Sequence, residues 1–368
     1  MTPMIRRAFL VWLMVATCIG TTTQARTVAK TLDIYVIDVE GGQATLIVTP
    51  SGESLLIDAG FPSDGTFASK PGLAARARDA QRIVAAAKDA GVTEIDYLML
   101  THYHADHAGG VPELAQLLRI KTFIDHAAPT AEAEKGVAGT QGVYDAYSAV
   151  RANGKHIQPK AGDRLPLNML GGGVEVVVVA SEDKVMSRPI PGDTPMPGVS
   201  RSPSICEGTG IAAQEKTENP RSTAVRLRYG RFSFLDVGDL SGPSLFALTC
   251  PTNLIGDTDV YLVSHHGADD AADPSLYRTI KPLVAITNNA EKKGAQKETM
   301  ALLKQMQSSI DTWQLHRTLA EGSADVAPSD RIANLDNITS AWIKISANAD
   351  GTFSVMNGRT GFTKSYAR

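Results

Sequence analysis

Cysteine is scarce in this chain of 368 residues: there are three, too few for a disulfide scaffold or a cysteine-rich zinc fold. Charge of one sign is scarce as well. A net charge of −3 leaves no general basic excess of the kind that holds nucleic acid by counterion release, which argues against a DNA-coating role. Long apolar runs are missing too. The longest, over residues 8–20, is interrupted by Thr17 and Cys18 and falls short of the ~20 residues that a membrane span needs. No internal repeat and no low-complexity tract stands out. What is present, 43% hydrophobic and 20% charged residues, can bury a large core as one big domain or two ordinary ones.

The first 25 residues read as a secretory signal peptide. Arg6 and Arg7 precede the apolar run, and Thr23-Gln24-Ala25 supplies small residues for cleavage. A lipid anchor through Cys18 fits less well, because Thr17 stands before it. Losing Arg6 and Arg7 would take the net charge from −3 to −5. Residues 26–368 are then expected as one domain in the periplasm or outside the cell, with no transmembrane segment. Only Cys206 and Cys250 would remain there, either as one disulfide tying a long loop to the body or as two unrelated thiols.

Strand patterns open this domain. Leu32, Ile34 and Val36 alternate into Asp38, residues 44–48 resume after Gly41-Gly42, and residues 54–57 run into Asp58-Ala59-Gly60. After a loop over residues 61–72, Ala77, Ala80, Ile83, Val84 and Ala87 fall on one helical face, and Gly91 stands where a helix cap belongs. Further strands are expected at 95–100, 121–125, 174–179, 225–229, 232–237, 260–263 and 283–287, with a helix near 298–307 and a closing hairpin at 342–346 and 352–356. Strands in runs with helices between them fit an α/β layered sandwich better than a strictly alternating parallel fold. Residues 186–222 are rich in Pro, Gly, Ser and Thr and read as an insertion or lid.

Five of the eight histidines fall in two short motifs at strand ends. His102-Tyr103-His104-Ala105-Asp106-His107 follows an apolar strand and precedes a helix that Pro112 begins. His102 and His104, two apart, can point to one side of an extended stretch, while Asp106 and His107 at the turn can face a second position. One loop can therefore serve two divalent cations, which need several lone pairs converging from a rigid frame. Asp239, beside Gly238 at the end of a strand, is the candidate bridging carboxylate, with Asp236 its competitor. His265-His266 would complete the second position. An extended backbone there would point the two rings oppositely, and which of them ligates stays open. His126, His156 and His316 lack such company, and His126 fits a packed or solvent-facing side chain better than a rim ligand.

The order Leu56-Ile57-Asp58-Ala59-Gly60, His102 to His107, Gly238-Asp239 and His265-His266-Gly267 resembles the metallo-β-lactamase-fold hydrolases over most of the domain. Within them it looks most like the branch of the hydrolase domains of DNA-uptake competence proteins and the phosphorylcholine esterases. The resemblance implies a four-layer αββα sandwich with two zinc ions between its sheet edges, and Asp58 as a carboxylate buttressing the ligand loop. Many members carry a further histidine before the strand at 225–229. This chain has Glu218-Asn219-Pro220-Arg221-Ser222 there, and Asn219 and Ser222 fit the competence-like branch. The first metal would then be held by His102, His104 and Asp239, with an open position that suits catalysis. Asp38-Val39-Glu40-Gly41-Gly42-Gln43 departs from the competence pattern and weakens a nuclease reading.

The function this implies is an exported binuclear hydrolase. Two divalent cations, zinc by preference, would supply a hydroxide oriented by Asp106 to cleave a phosphodiester or related phosphate ester. Hydrolysis of a carbonyl ester, lactone or β-lactam at the same site is the alternative. A non-catalytic metal- or ligand-binding protein with a vestigial site is the alternative of another class. The partner expected is a small-molecule or phosphate-ester substrate.

Overall fold

A computed structural model describes residues 31–167, 173–191, 206, 215–338 and 340–368. The signal-peptide reading of residues 1–25 and most of the 186–222 insertion lie outside the described residues.

The first half of the chain supplies β1 (Leu32–Val36), β2 (Thr45–Val48), β3 (Ser54–Ile57), β4 (Ile95–Met99), β5 (Ile120–Ile124) and β6 (Lys155–Ile157). The second supplies β7 (Val174–Ser181), β8 (Lys184–Val185), β9 (Ala224–Tyr229), β10 (Phe232–Asp236), β11 (Val260–Leu262), β12 (Val284–Thr287), β13 (Asp311–His316) and β14 (Ile332–Asn334). The tail, β15 (Ile343–Ala347), β16 (Phe353–Asn357) and β17 (Thr363–Tyr366), crosses back to the first sheet. Among the described residues the sheet orders are β17-β16-β15-β1-β2-β3-β4-β5-β6 and β14-β13-β12-β11-β10-β9-β7-β8. In each sheet an antiparallel stretch meets a parallel one, β3 to β6 in the first and β10 to β14 in the second.

Burial defines four layers. One cluster, with Ile34, Ile57, Met99, Phe234, Leu262 and Trp313, fills the space between the sheets. A second seals the outer face of the first sheet against helices Arg78–Asp89, Val111–Leu117 and Thr140–Arg151. A third does so for the other sheet with Pro274–Ile280 and Lys297–Gln305. Because strands buried on both faces are apolar almost throughout, β2 and β3 show no polar alternation. The expected αββα sandwich is therefore the observed one, and the expected strands fall within a residue or two of the observed bounds. No described helix is long and apolar enough to cross a membrane.

Both described ends of the 186–222 segment pack into the body. Met186 and Ile190 join the outer core of the second sheet, and Glu218, Asn219 and Ser222 are buried. Cys206 is disulfide-bonded to Cys250, with Cα atoms 5.8 Å apart, which decides between the two readings of these cysteines.

Candidate metal centre

The parallel strands β3, β4, β10 and β11 end at one rim, where both sheets deliver their next residues. Such strand ends are where open α/β sheets place ligands. Past β4, buried Leu100 and Thr101 lead to His102, and His104 starts a short helix, Ala105–Ala108, that carries Asp106 and His107. Past β10, Gly238 turns the chain toward Asp239. Its φ of +54° suits glycine, and a Cβ there would come within 2.7 Å of the Thr101 Cβ. That close approach sets Asp239 against the histidine loop.

Two groups of donor atoms converge there, each within 4.8 Å of one another, and Asp239 belongs to both. His102, His104 and Asp239 form one. His102 Nε2 lies 3.0 Å from His104 Nδ1 and 3.8 Å from Asp239 Oδ2. Asp106, His107, Asp239 and His266 form the other, with His107 Nε2 at 3.2 Å from His266 Nε2 and 3.2 Å from Asp239 Oδ2. Asp106 Oδ2 is 3.5 Å from His107 Nε2 and 3.4 Å from His266 Nε2. All of these side chains are buried.

The donor set fits divalent cations. His104 Nε2, Asp106 Oδ1 and Asp239 Oδ1 are buried without a hydrogen-bond partner, a costly arrangement unless something else claims their lone pairs. Imidazole and carboxylate donors in this number suit a divalent metal site. The electrostatics agree. Burial would raise Asp239, but His107, His266 and His265 outweigh it and hold the carboxylate well below its ordinary range. Burial lowers His104 to about 4, which leaves its imidazole neutral and able to donate a lone pair at neutral pH.

Outer contacts fix which nitrogen faces the centre. Asp58 accepts from Thr101 N at 2.8 Å, Thr101 Oγ1 at 2.7 Å and His107 Nδ1 at 2.7 Å. With its Nδ1 proton on Asp58, His107 points Nε2 inward; despite burial, Asp239, Asp106 and Asp58 hold this ring well above the ordinary histidine range, so a cation would displace its Nε2 proton. Thr101 Oγ1 at 3.1 Å and Ser222 Oγ at 3.5 Å lie beside His102 Nδ1 and do the same for that ring. Asn219 Nδ2 is 3.4 Å from His265 Nε2.

The two adjacent histidines separate, for a reason other than the expected one. His265 and His266 are not extended: both adopt left-handed backbone, φ 49° and 56°. His266 enters the second group, whereas His265 stays outside both, its Nδ1 paired with Asp270 at 2.9 Å and its Nε2 3.7 Å from Asp239 Oδ2. Asp236, the competitor of Asp239, points away and accepts from Gln43 Nε2 at 3.0 Å. His126 is buried with its Nδ1 against the Ala127 carbonyl, as a packed side chain. His316, which had no motif context, is buried against Asp38 at 2.8 Å.

Sequence reasoning missed Lys293. Its ammonium bonds to Asp106 Oδ2 and the Gly41 carbonyl. Nothing in the local text Glu291-Lys292-Lys293-Gly294 marks it, since the contact spans 187 positions.

Residues 37–205 match the family model described as the metallo-beta-lactamase superfamily. The chain carries a metallo-beta-lactamase superfamily domain. Among solved structures it is similar to a metallo-beta-lactamase with a HARLDQ motif from Cronobacter sakazakii, at 17% identity over 59% of this chain and 65% of that one, TM-score 0.31. It is also similar to CmlA, a diiron beta-hydroxylase from Streptomyces venezuelae, at 13% identity over 70% of this chain and 44% of that one, TM-score 0.36. A diphosphatase of the PhnP family shares 13% identity over 74% of this chain and 81% of its own, TM-score 0.34. No curated protein matches the sequence. None of these likenesses carries an assignment of substrate. The matched domain and its buried His/Asp groups support a metal-dependent hydrolase.

Proposed function

We propose that this metallo-beta-lactamase-fold chain is an exported binuclear hydrolase that cleaves a phosphodiester or related phosphate ester. The observation that carries the reading is the sharing of Asp239 between two buried donor groups, because a carboxylate common to both can bridge a pair of cations. His102, His104 and Asp239 would hold one, and Asp106, His107, Asp239 and His266 the other, with zinc the cation these donors suit best. When bound, such a pair supplies Lewis acidity and an activated water at neutral pH.

The chain's own residues do the rest. Asp58 and Thr101 hold the rings of His107 and His102 in orientation. Despite burial, Lys293 and His107 hold the Asp106 carboxyl well below the ordinary carboxylate range, so it would stay ionised and orient the attacking water. Lys293 brings a positive charge to the rim, which favours an anionic ester over a neutral carbonyl substrate. The first donor group has two histidines rather than three, and Asn219 and Ser222 stand at that edge. That leaves room for a phosphoryl oxygen. Export is supported by the basic and apolar text of residues 1–25 and by the Cys206–Cys250 disulfide, which suits an oxidising compartment.

Metal analysis and a chromogenic panel test the proposal together. The purified protein should carry about two zinc per chain and cleave bis(p-nitrophenyl) phosphate, with Asp106→Ala and Asp239→Ala each losing on the order of a thousandfold. Cleavage of nitrocefin or a lactone without phosphodiester cleavage would move the activity to carbonyl chemistry. Absence of bound metal would return the site to a vestigial one.

A further inference from the structure

An apolar groove opens directly beside the candidate metal ligands. The loop over residues 61–72 runs across the short helix that carries Asp106 and His107 and faces helix Thr140–Arg151. Between them lies a cavity of about 430 Å³, lined mainly by Pro62, Phe67, Ala105, Val143 and Ala146, with Lys70 on its loop side. That volume is in the range of small-molecule sites, roughly 300–1,000 Å³. Ala105 stands between His104 and Asp106, so the groove and the donor groups share a wall.

The junction between them is charged. Phe61 and Phe67 meet edge to face with ring centroids 5.0 Å apart, and the Lys293 ammonium sits 5.6 and 5.2 Å from those centroids while bonded to Asp106. Phe67 is 56% exposed, a large ring left open at the mouth of a site. On the far side of Lys293 is a second recess, about 320 Å³, with His265, His266, Asp269 and Asp270 on its walls. One side of Lys293 is therefore mostly apolar and the other polar. A ligand reaching from the groove to Asp106 would pass Lys293.

The geometry points to an amphiphilic substrate: an ester whose anionic centre lies at Lys293 and the donor groups, and whose alkyl or aryl group lies in the groove under Phe67. This assignment rests on the hydrolase reading and deepens it. Position decides the order: the anionic centre belongs beside Lys293 and the donor groups, and the groove wall is apolar apart from Ser69 and Lys70 on its loop side. Helix Thr140–Arg151 lets the groove be filled without disturbing the centre. Gly142 is exposed, has ordinary backbone, and a Cβ there would meet nothing within 4 Å.

Calorimetric titration of the protein as purified with methylphosphonate and octylphosphonate is the test. Each buried methylene adds roughly fourfold to affinity, so burial of three gives octylphosphonate an advantage of about sixtyfold. Gly142→Leu, or Ala146→Phe one turn on if the first variant melts early, should cut that advantage to about threefold or less. Lys293→Met should weaken both probes by a similar factor, with Lys293→Arg restoring them. An equal affinity for the two probes, or an octyl advantage that survives both groove-filling variants, overturns the proposal. Kinetics on methyl and octyl p-nitrophenyl phosphates, beside p-nitrophenyl acetate and octanoate, separate the groove from the reaction. Phosphate cleavage without chain-length preference removes the groove and keeps the reaction. A chain-length preference found only on carbonyl esters keeps the groove and removes the phosphate reading.

Discussion

Asp58→Asn withdraws one negative charge from a fully buried position at the end of β3 and changes almost no volume. The backbone there is left-handed, φ 59°, a conformation that asparagine tolerates, so the substitution adds no strain of its own. What changes is the proton pattern. Asp58 Oδ1 accepts Thr101 N–H, and Oδ2 accepts both Thr101 Oγ1 and His107 Nδ1. A carboxamide keeps one acceptor and gains two donors. If its NH₂ replaces Oδ1, it faces the Thr101 amide and leaves buried donors unsatisfied, at about 1–3 kcal/mol. If it replaces Oδ2, His107 must move its proton from Nδ1 to Nε2, the atom that faces Asp239, Asp106 and His266. Either way the centre loses affinity for a cation. Loss of such an outer contact typically weakens binding 10- to 100-fold, equivalent to about 1.4–2.7 kcal/mol. Zinc competition against a chromogenic chelator at fixed pH reads this directly, with thermal melts of the metal-free and zinc-loaded variant to confirm folding. A folded Asp58→Asn protein with zinc affinity within about twofold of the parent would refute the buttressing role of Asp58.

Three further outcomes are expected. Gly238→Ala combines a left-handed residue, costing about 1–2 kcal/mol, with a Cβ 2.7 Å from Thr101, and should lower both urea stability and metal content; full retention of both would contradict a close approach at Thr101. Cys206→Ser with Cys250→Ser opens a loop of 44 positions and should cost up to about 4 kcal/mol, seen as a lower melting temperature that reductant then leaves unchanged. Burial pushes Glu218 up to about 7 despite Arg221, so it is protonated more readily folded than unfolded. Its contribution to stability is full below about pH 4.5 and is lost as pH rises through 7. Glu218→Gln should therefore flatten the fall in urea stability between pH 5 and 8 by on the order of 3 kcal/mol, and an unchanged slope would count against that burial.

The parts of the fold legible in the sequence were those with strong local pattern. The strands near 32–57 and the hairpin near 343–357 carry apolar runs bounded by turn residues, and Gly91 caps its helix with φ +69° and its neighbour Val92 bonded back to Ala87. Strand β13 was missed because Asp311–His316 reads DTWQLH, in which buried Gln314 and His316 break the apolar pattern. Those polar residues are tolerated only because distant groups satisfy them: Gln314 bonds to Asp325 and His316 to Asp38. Helix Thr140–Arg151 was missed for a related reason. Its only fully buried side chains are Thr140 and Tyr147, so its stripe is too narrow to register as periodicity.

The candidate site divides along the same physical line. His102, His104, Asp106 and His107 sit within six consecutive residues, and clustering alone exposes them. Asp239 could be chosen over Asp236 only through the bare glycine beside it, and the structure gives that choice a cause: Gln43 claims Asp236, while Gly238 lets the next turn reach Thr101. The orientation of His265 and His266 was not legible, because it depends on two successive left-handed residues, a costly conformation held by the surrounding chain. The amide of Ala295 bonds the His266 carbonyl and that of Gln296 the Gly267 carbonyl, so the segment following Gly294 pins the turn from outside. Lys293 stands at the head of that same segment. The loop that forces His266 toward Asp106 is thus also the loop that brings the ammonium to the rim, and one structural element sets both a donor position and the charge facing the groove. It follows that lengthening this loop by one residue between Lys293 and Gly294 should lower cation binding and phosphonate binding together, whereas Lys293→Met, which frees Asp106 Oδ2 from its ammonium, should weaken phosphonate binding without lowering zinc affinity. Loss of zinc affinity in Lys293→Met at unchanged fold would show that the two are not separable.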